Sequence, residues 1–259
     1  MLKVIPIRAF ADNYIWLLQG ENKTIASVVD PGDATPVLHY LDQHQIELKS
    51  IIITHHHGDH VGGIQQLLQH FPDIPVYGPA REKIPAITHQ LKDQDEITDE
   101  GSGQTFLVMD VPGHTAGHIA YYGDGRLFCG DTVFANGCGR VFDGTFEQLC
   151  HSLKKISKLP DETLIYCAHE YTVDNIGFAK WVEPENQVLL ERDKIDFSRS
   201  EKGQPTVPSK LALEKQTNPF LRFTLPEVKL IAEQKAGRAL QNDCEVFTVL
   251  RQWKDREYD

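Results

Sequence analysis

Residues that could bind metal ions are concentrated in one short stretch, THHHGDHVGG, at positions 54–63. His55 and His57 are two residues apart, so on an extended backbone their side chains point the same way. Asp59 and His60 follow after a glycine turn, and imidazole and carboxylate groups together suit zinc, iron or manganese. A histidine-rich surface loop is the alternative, but alternate histidines and an Asp-His pair after an apolar run favour a metal site.

Three further candidate ligands each follow a run of residues with the composition of a strand. His114 follows VPG, Asp131 follows LFCG and His169 follows LIYCA. Taken singly, each is typical of an ordinary turn. Because α/β folds bind ligands beyond the carboxyl ends of their strands, the repetition predicts that these residues share the site of the first cluster.

Short β-leaning runs alternate with helical segments through the first two-thirds of the chain, and helical stretches dominate after about residue 172. We therefore expect an α/β portion at 1–172 and a helical portion at 173–259. The predicted strands are KVIPI (3–7), YIWLLQ (14–19), TIASVVD (24–30), KSIIITH (49–55), IPVYG (74–78), TFLVMDVPG (105–113), HIAYYGDG (118–125), RLFCGD (126–131) and ETLIYCAH (162–169). The predicted helices of this portion are ATPVLHYLDQHQ (34–45), VGGIQQLLQHF (61–71) and TFEQLCHSLKKISKL (145–159).

The composition excludes several classes of protein. A formal net charge of −11 counts against a nucleic-acid partner. No run approaches the roughly 18 apolar residues of a membrane helix, and the N-terminal stretch lacks the features of a secretory signal. The five cysteines are widely spaced without a Cys-x-x-Cys, so neither a disulfide framework nor a cysteine zinc site is predicted, and we expect a cytoplasmic protein.

The ordered motifs T-H-x-H-x-D-H, G-H-T-x-G-H, G-D and a late histidine resemble those of the metallo-β-lactamase superfamily. Within it the chain is similar to the glyoxalase II (hydroxyacylglutathione hydrolase) family. The resemblance implies an α/β fold, the αββα sandwich of that superfamily, with a helical C-terminal domain. It also implies that 1–172 is the catalytic domain and that 173–259 binds the substrate. The shared stretches are AFADNYIWLL (9–18), VVDPGD (28–33), THHHGDHVGG (54–63), VPGHTAGH (111–118), CGDTVFANGCGRVFDGT (129–145), CAHEYT (167–172), TNPFLR (217–222) and RQWKDR (251–256).

The resemblance also implies seven ligands for two divalent metal ions, with zinc as first choice and iron or manganese as alternatives. The ligands of the first ion would be His55, His57 and His114. Those of the second would be Asp59, His60 and His169, with Asp131 bridging the two ions.

Two other histidines and Asp30 also lie within these motifs. His56 and His118 are then not ligands. Asp30, in VVDPGD, resembles a carboxylate that orients a ligand histidine, although an Asp-Pro-Gly turn explains it equally well.

The implied reaction is hydrolysis of S-D-lactoylglutathione to glutathione and D-lactate, a step of methylglyoxal detoxification. A water shared by two metal ions can act as a hydroxide nucleophile at neutral pH, and it would attack the thioester carbonyl. Asp131, as the bridging ligand, and Asp59, which could orient the hydroxide, would be the catalytic side chains. The thiolate leaving group has a conjugate-acid pKa of roughly 8.5, so no strong general acid is needed.

Five residues match positions that bind glutathione in the family. Arg140, Arg251 and Lys254 would bind the glycine carboxylate, although helical spacing alone predicts a solvated face for the last two. Tyr171 would hydrogen-bond the glutathione backbone. Phe142 stands where some members have tyrosine, so a backbone contact could remain while the role of its side chain is left open.

Other activities of the same superfamily are the competing interpretations. A persulfide dioxygenase would share the early motifs but generally lacks the long helical C-terminal portion. A nuclease would be expected to carry a basic extension, which the acidic charge argues against, and a β-lactam hydrolase fits the basic C-terminal residues less well. A metal-binding module without catalysis is the last alternative. We expect a monomer whose partner is a small molecule, with no nucleic acid and no membrane.

Overall fold

The computed structural model describes residues 2–259, which divide into two compact units. The first unit comprises the chain up to Asp110 together with Thr115–Gly130. The second comprises Val111–His114 and Asp131–Asp259. The chain therefore enters the second unit for four residues, returns to the first, and leaves it again after Gly130.

The first unit contains a six-stranded sheet in the order β1-β2-β3-β4-β5-β6. The first three strands are antiparallel neighbours, and β3 to β6 pair in parallel. The strands are β1 (Lys3–Ala9), β2 (Asn13–Gln19), β3 (Ile25–Val29), β4 (Glu47–Ile52), β5 (Val76–Pro79) and β6 (His89–Leu91). The helices among them are α1 (Ala34–His44), α2 (Gly58–Val61) and α3 (Ile64–His70).

The apolar spacing of α1 explains how this sheet is covered. Asp33 caps the helix by accepting a hydrogen bond from the backbone N–H of Thr35 at 2.8 Å. Val37 and Leu41, four residues apart on one face, are buried in the same apolar core as Ile51 of β4. This packing fixes the end of β4, from which the chain continues into the histidine cluster.

A second set of four strands in the first unit forms an antiparallel meander: β7 (Glu96–Thr98), β8 (Thr105–Asp110), β9 (Ile119–Gly123) and β10 (Arg126–Gly130). The β9–β10 hairpin turns through Asp124 and Gly125, whose φ angles are +48° and +70°. Positive φ at both positions is the geometry of the two-residue turn that Asp-Gly favours.

The second unit is mostly helical after its first strands, as the sequence predicted for the C-terminal region. The mixed α/β architecture with a helical C-terminal region is thus confirmed. Its strands are β11 (Val133–Phe134), β12 (Gly137–Cys138), β13 (Leu164–Cys167) and β14 (Ser209–Lys210). Its helices are α4 (Phe146–Ile156), α5 (Thr172–Val182), α6 (Gln187–Glu201), α7 (Leu211–Thr217), α8 (Pro219–Arg222), α9 (Pro226–Ala236), α10 (Asp243–Trp253) and a π-helical turn at Lys254–Tyr258.

A disulfide joins Cys150 of α4 to Cys244 in the first turn of α10. Cysteine spacing predicted no disulfide framework, and this bridge contradicts that prediction for one pair of cysteines. The two residues are 94 positions apart, and only the packing of α4 against α10 brings them together, which cysteine spacing does not reveal. The other cysteines are buried thiols.

Among residues 2–259, no helix combines the length and apolar character that crossing a membrane would require.

Candidate metal centre

The histidine cluster of the first unit occupies the turn between β4 and α2. His55 Nε2 and His57 Nδ1 face each other at 3.1 Å. Tetrahedral zinc, with Zn–N bonds of 2.0–2.1 Å, would hold two nitrogen ligands about 3.3 Å apart. The two atoms are therefore placed as a pair of ligands to one ion would be.

Asp59 and His60 lie in α2, a single helical turn that begins at Gly58. Asp59 Oδ2 is 3.5 Å from His60 Nε2, again close to the separation of two ligands on one ion. Asn13, at the start of β2, donates a hydrogen bond from Nδ2 to Asp59 Oδ2 at 2.9 Å. Nothing in the sequence had singled out Asn13 beyond its place in a shared motif.

Asp30 orients the histidines from behind. Its Oδ1 accepts a hydrogen bond from the backbone N–H of Thr54 at 2.8 Å, and its Oδ2 lies 2.7 Å from the Thr54 hydroxyl and 3.1 Å from His60 Nδ1. Since the hydroxyl donates to Asp30, its oxygen can accept from His55 Nδ1, 3.0 Å away. Protonated Nδ1 atoms leave the Nε2 lone pairs of both histidines directed at a metal ion.

Both interpretations of Asp30 thus hold at once. Its backbone C=O accepts a hydrogen bond from the Gly32 N–H at 2.9 Å, as a turn residue would, and its φ is +51°. Ligand atoms of Asp30, His55 and His60 also lie within 4.8 Å of one another. The 3.1 Å approach to His60 Nδ1 is of hydrogen-bond length, which assigns Asp30 to orientation.

The two histidines that were predicted not to be ligands have other contacts. His56 Nδ1 lies 2.9 Å from Glu82 Oε2. The His118 ring is fully buried, stacks on His55 at 4.6 Å between centroids, and has Nδ1 3.0 Å from the Ile119 carbonyl oxygen. The stacking of His118 restricts the His55 ring.

The second unit brings together His114, Asp131 and His169. Asp131 Oδ2 lies 3.5 Å from His114 Nε2 and 3.4 Å from His169 Nε2. All three side chains are buried. One carboxylate oxygen placed between two imidazole nitrogens is the arrangement expected of a ligand that serves two ions.

A tight loop fixes His114. Its Nδ1 donates to the backbone carbonyl of Arg140 at 2.8 Å, which leaves Nε2 as the ligand atom. A Cβ at Gly139 would overlap the Asp131 carbonyl oxygen and press on the His114 ring, so only glycine fits there. The loop therefore sets the tautomer of His114 and its distance from Asp131.

The TNPFLR stretch supports the β11–β12 hairpin that follows Asp131. Asn218 Nδ2 donates to the carbonyl oxygens of Phe134 (3.2 Å) and Gly137 (2.9 Å). It also donates to Glu214, which is fully buried and paired with Arg192 at 2.6 Å. The sequence had marked TNPFLR only through the family, and the structure supplies its physical role.

The donor set fits divalent zinc, iron or manganese. It consists of imidazole nitrogens and carboxylate oxygens, with their outer atoms held by hydrogen bonds. Thiolate ligation is disfavoured, because burial raises the pKa of the Cys138 thiol to about 11 and that of Cys167 to about 12.

Two aromatic rings flank the ligand histidines of the second unit. Tyr171 stacks on His169 with 4.7 Å between centroids and 7° between planes. Phe142, with 64% of its surface exposed, meets His114 edge-on at 5.2 Å. The Phe142 N–H donates to the His114 carbonyl at 3.0 Å, so that amide is already engaged within the chain.

The three predicted glutathione-binding cations lie together, around an acidic residue. Arg251 is 1% exposed, and it donates from Nη1 to the Cys138 carbonyl at 3.0 Å. Its Nη2 donates to Asp259 Oδ2 at 2.7 Å. Lys254 also pairs with Asp259, and Arg140 Nη2 lies 3.2 Å from the same Oδ2. No sequence pattern had indicated Asp259.

Comparisons with known proteins agree with these features. The metallo-beta-lactamase superfamily model matches residues 10–169, and the model for the hydroxyacylglutathione hydrolase C-terminus matches 170–257. Proteins named hydroxyacylglutathione hydrolase from Nitrosomonas europaea and Vibrio cholerae are each 51% identical, over 98% of this chain and 96% and 99% of theirs.

A solved structure gives the same architecture. The crystal structure of ETHE1 from Myxococcus xanthus aligns over 100% of this chain and 93% of its own, with a TM-score of 0.66 and 23% identity. At that identity the likeness establishes the fold alone.

Proposed function

Because the chain belongs to the hydroxyacylglutathione hydrolase family of the metallo-β-lactamase superfamily, we propose that it hydrolyses S-D-lactoylglutathione to glutathione and D-lactate. The observation that carries this proposal is the placement of Asp131 Oδ2 between the Nε2 atoms of His114 and His169. A buried carboxylate between two imidazoles is suited to a pair of metal ions.

The superfamily implies a dinuclear divalent metal site. The proposed ligands are His55, His57 and His114 for one ion, Asp59, His60 and His169 for the other, and Asp131 for both. Zinc is the first choice, with iron or manganese as alternatives. When bound, two such ions supply the Lewis acidity that lowers the pKa of a water molecule toward 7 and stabilises an oxyanion.

Side chains and backbone groups of the chain itself would orient the ligand residues and hold them in position. Asn13 donates a hydrogen bond to Asp59 Oδ2 and so fixes the carboxylate, which could then accept a hydrogen bond from the attacking water. Asp30 and the Arg140 carbonyl hold His60 and His114 in the tautomer with Nε2 unprotonated. The glutathione thiolate, with a conjugate-acid pKa of about 8.5, departs without a general acid.

The glutathione moiety would bind to the second unit. Arg140, Arg251 and Lys254 supply cations for the glycine carboxylate, and they offset an overall charge of −11 locally. Tyr171 would hydrogen-bond the tripeptide backbone, and Phe142 would contribute its exposed ring. We propose residues 173–259 as the substrate-binding portion, a division that the boundary of the two family models near residue 170 supports. The enzyme would act as a cytoplasmic monomer on a small-molecule substrate.

The direct test is hydrolysis of S-D-lactoylglutathione by purified protein, with metal content measured on the same sample and on a chelator-treated control. We expect chelator-sensitive turnover with about two metal ions per chain. Two bound ions without thioester hydrolysis would refute the proposed substrate. Oxygen consumption with glutathione persulfide would then identify the dioxygenase alternative.

A further inference from the structure

The carboxylate of Asp259 occupies the centre of a cationic cluster formed by Arg140, Arg251 and Lys254. Its Oδ2 accepts a hydrogen bond from Arg251 Nη2 at 2.7 Å and lies 3.2 Å from Arg140 Nη2. Its Oδ1 accepts a hydrogen bond from the Lys254 ammonium. The side chain of Asp259 is only 10% exposed, and those of Arg251 and Lys254 are 1% and 5% exposed. Asp255 completes the cluster, with Oδ1 3.0 Å from Arg251 Nη2.

The backbone before Asp259 is anchored, so its position is built into the structure. The π-helical turn Lys254–Tyr258 carries the chain back towards α5. The Tyr258 hydroxyl donates to the Asp174 carbonyl at 2.8 Å, and its ring meets Trp181 edge-on at 5.0 Å. A Cβ at Gly177 would overlap the Tyr258 hydroxyl, so α5 makes room for this ring.

The surrounding positive charges stabilise the ionised Asp259 carboxylate in its position among the cations. Burial by itself would raise the pKa of the Asp259 carboxyl, but the hydrogen bond and charge of Lys254 and the charges of Arg251 and Arg140 hold it below its ordinary value. The Asp259 carboxyl is therefore ionised at neutral pH. It can compete with the carboxylate of a ligand for the same hydrogen-bond donors.

We propose that Asp259 is an internal competitor for the carboxylate of glutathione thioesters, and that its displacement sets their affinity. This inference rests on the proposed function, which assigns Arg140, Arg251 and Lys254 to the glycine carboxylate. An aspartate side chain and a C-terminal carboxylate present the same pair of oxygens, so a glycine carboxylate would compete for the Arg251 Nη2 donor that Asp259 holds at 2.7 Å. Arg251 is reached by substrate only when Asp259 moves away.

The competition lowers apparent affinity without touching the reacting atoms. The measured Kd of a ligand is its intrinsic Kd divided by the fraction of molecules in which the site is open. Removing Asp259 raises that fraction to one. Asp255 remains to orient Arg251 after the exchange, because its 3.0 Å contact does not depend on Asp259.

The test compares Asp259→Asn with wild type, using KM and kcat for S-D-lactoylglutathione and calorimetric binding of glutathione. We expect KM and the glutathione Kd to fall by roughly three- to tenfold with kcat unchanged, for a site that is open in about 10–30% of molecules. Asp259→Ala provides a second variant without any amide contact. Glu257→Gln is the matched control, since Glu257 lies on the same turn but pairs with Lys235 at 2.6 Å, and it should match wild type.

Each outcome separates the two proposals. If wild type hydrolyses the thioester and both Asp259 variants keep or raise KM, Asp259 organises the cations and the competition is refuted. If wild type hydrolyses no thioester, the proposed function fails, and glutathione binding alone decides the competition. Tighter binding by the Asp259 variants would still support it, while unchanged binding would refute it. Glutathione monoethyl ester, whose glycine carboxylate is masked, should bind wild type and Asp259→Asn equally.

Discussion

Replacing Asp30 by asparagine tests whether one buried carboxylate sets the protonation state of the metal-binding histidines. Oδ1 of the new side chain could still accept from the Thr54 N–H. The other position would carry an NH₂ group, facing His60 Nδ1 at 3.1 Å and the Thr54 hydroxyl at 2.7 Å. An NH₂ donor there favours an unprotonated His60 Nδ1, which moves the proton to Nε2 and blocks that atom as a ligand.

The magnitude follows from the number of contacts that change. Of the three hydrogen bonds that Asp30 accepts, Asn keeps one and loses two, and one of these holds His60 directly. Loss of such an outer carboxylate typically lowers metal affinity 10- to 100-fold, or about 1.4–2.7 kcal/mol. The effect on His55 is transmitted through the Thr54 hydroxyl, so Thr54→Val should give a smaller loss.

The assay is competition for zinc between metal-free protein and a chromophoric chelator at neutral pH. Asp33→Asn is a matched control, because Asp33 lies in the same VVDPGD segment but caps α1, where asparagine serves as well. Equal zinc affinity for wild type and Asp30→Asn would refute the assignment of Asp30 to histidine orientation. An equal loss in both aspartate variants would mean that the segment, and not the carboxylate, is responsible.

Three further predictions concern residues on the same framework. Asp131→Ala should abolish hydrolysis and reduce metal content below two ions per chain by elemental analysis; retention of both ions would exclude a bridging role. Asn13→Ala should lower kcat with little change in KM, because it frees Asp59 but touches no part of the proposed glutathione site; a rise in KM alone would contradict this. The double variant Cys150→Ser, Cys244→Ser should lower the free energy of unfolding by roughly 4–5 kcal/mol, as expected for a bridge that closes a loop of this length. Denaturant titration measures this difference, and equal stability of wild type and variant would show that the bridge does not form.

The candidate ligands at positions 55–60 could be proposed from the sequence because their signals are local. Four candidate ligands fall within six residues, and the alternation of His55 and His57 after an apolar strand has a direct geometric meaning. The helix α4 was similarly accessible, since Thr145 and Gln148 form a capping box at its start. In both cases the structural feature depends on residues that are close together in the sequence.

Features that depend on distant packing were missed. The Cys150–Cys244 bridge requires α4 and α10 to pack together, and cysteine spacing carries no such information. Asn13 reaches Asp59 across 46 positions. Asp259 meets its cations through a π-helical turn that helical periodicity does not predict. Arg251, for which helical spacing alone predicts a solvated position, is buried.

The four-residue excursion Val111–His114 has a consequence for fragment design. The polypeptide passes from one unit to the other at three places, after Asp110, after His114 and after Gly130. No single cut can therefore release both units with their full complement of residues, and a fragment that ends at Gly130 would carry His114 away from Asp131 and His169. Split-protein complementation or domain exchange in this scaffold would need two junctions around His114 in addition to the one after Gly130.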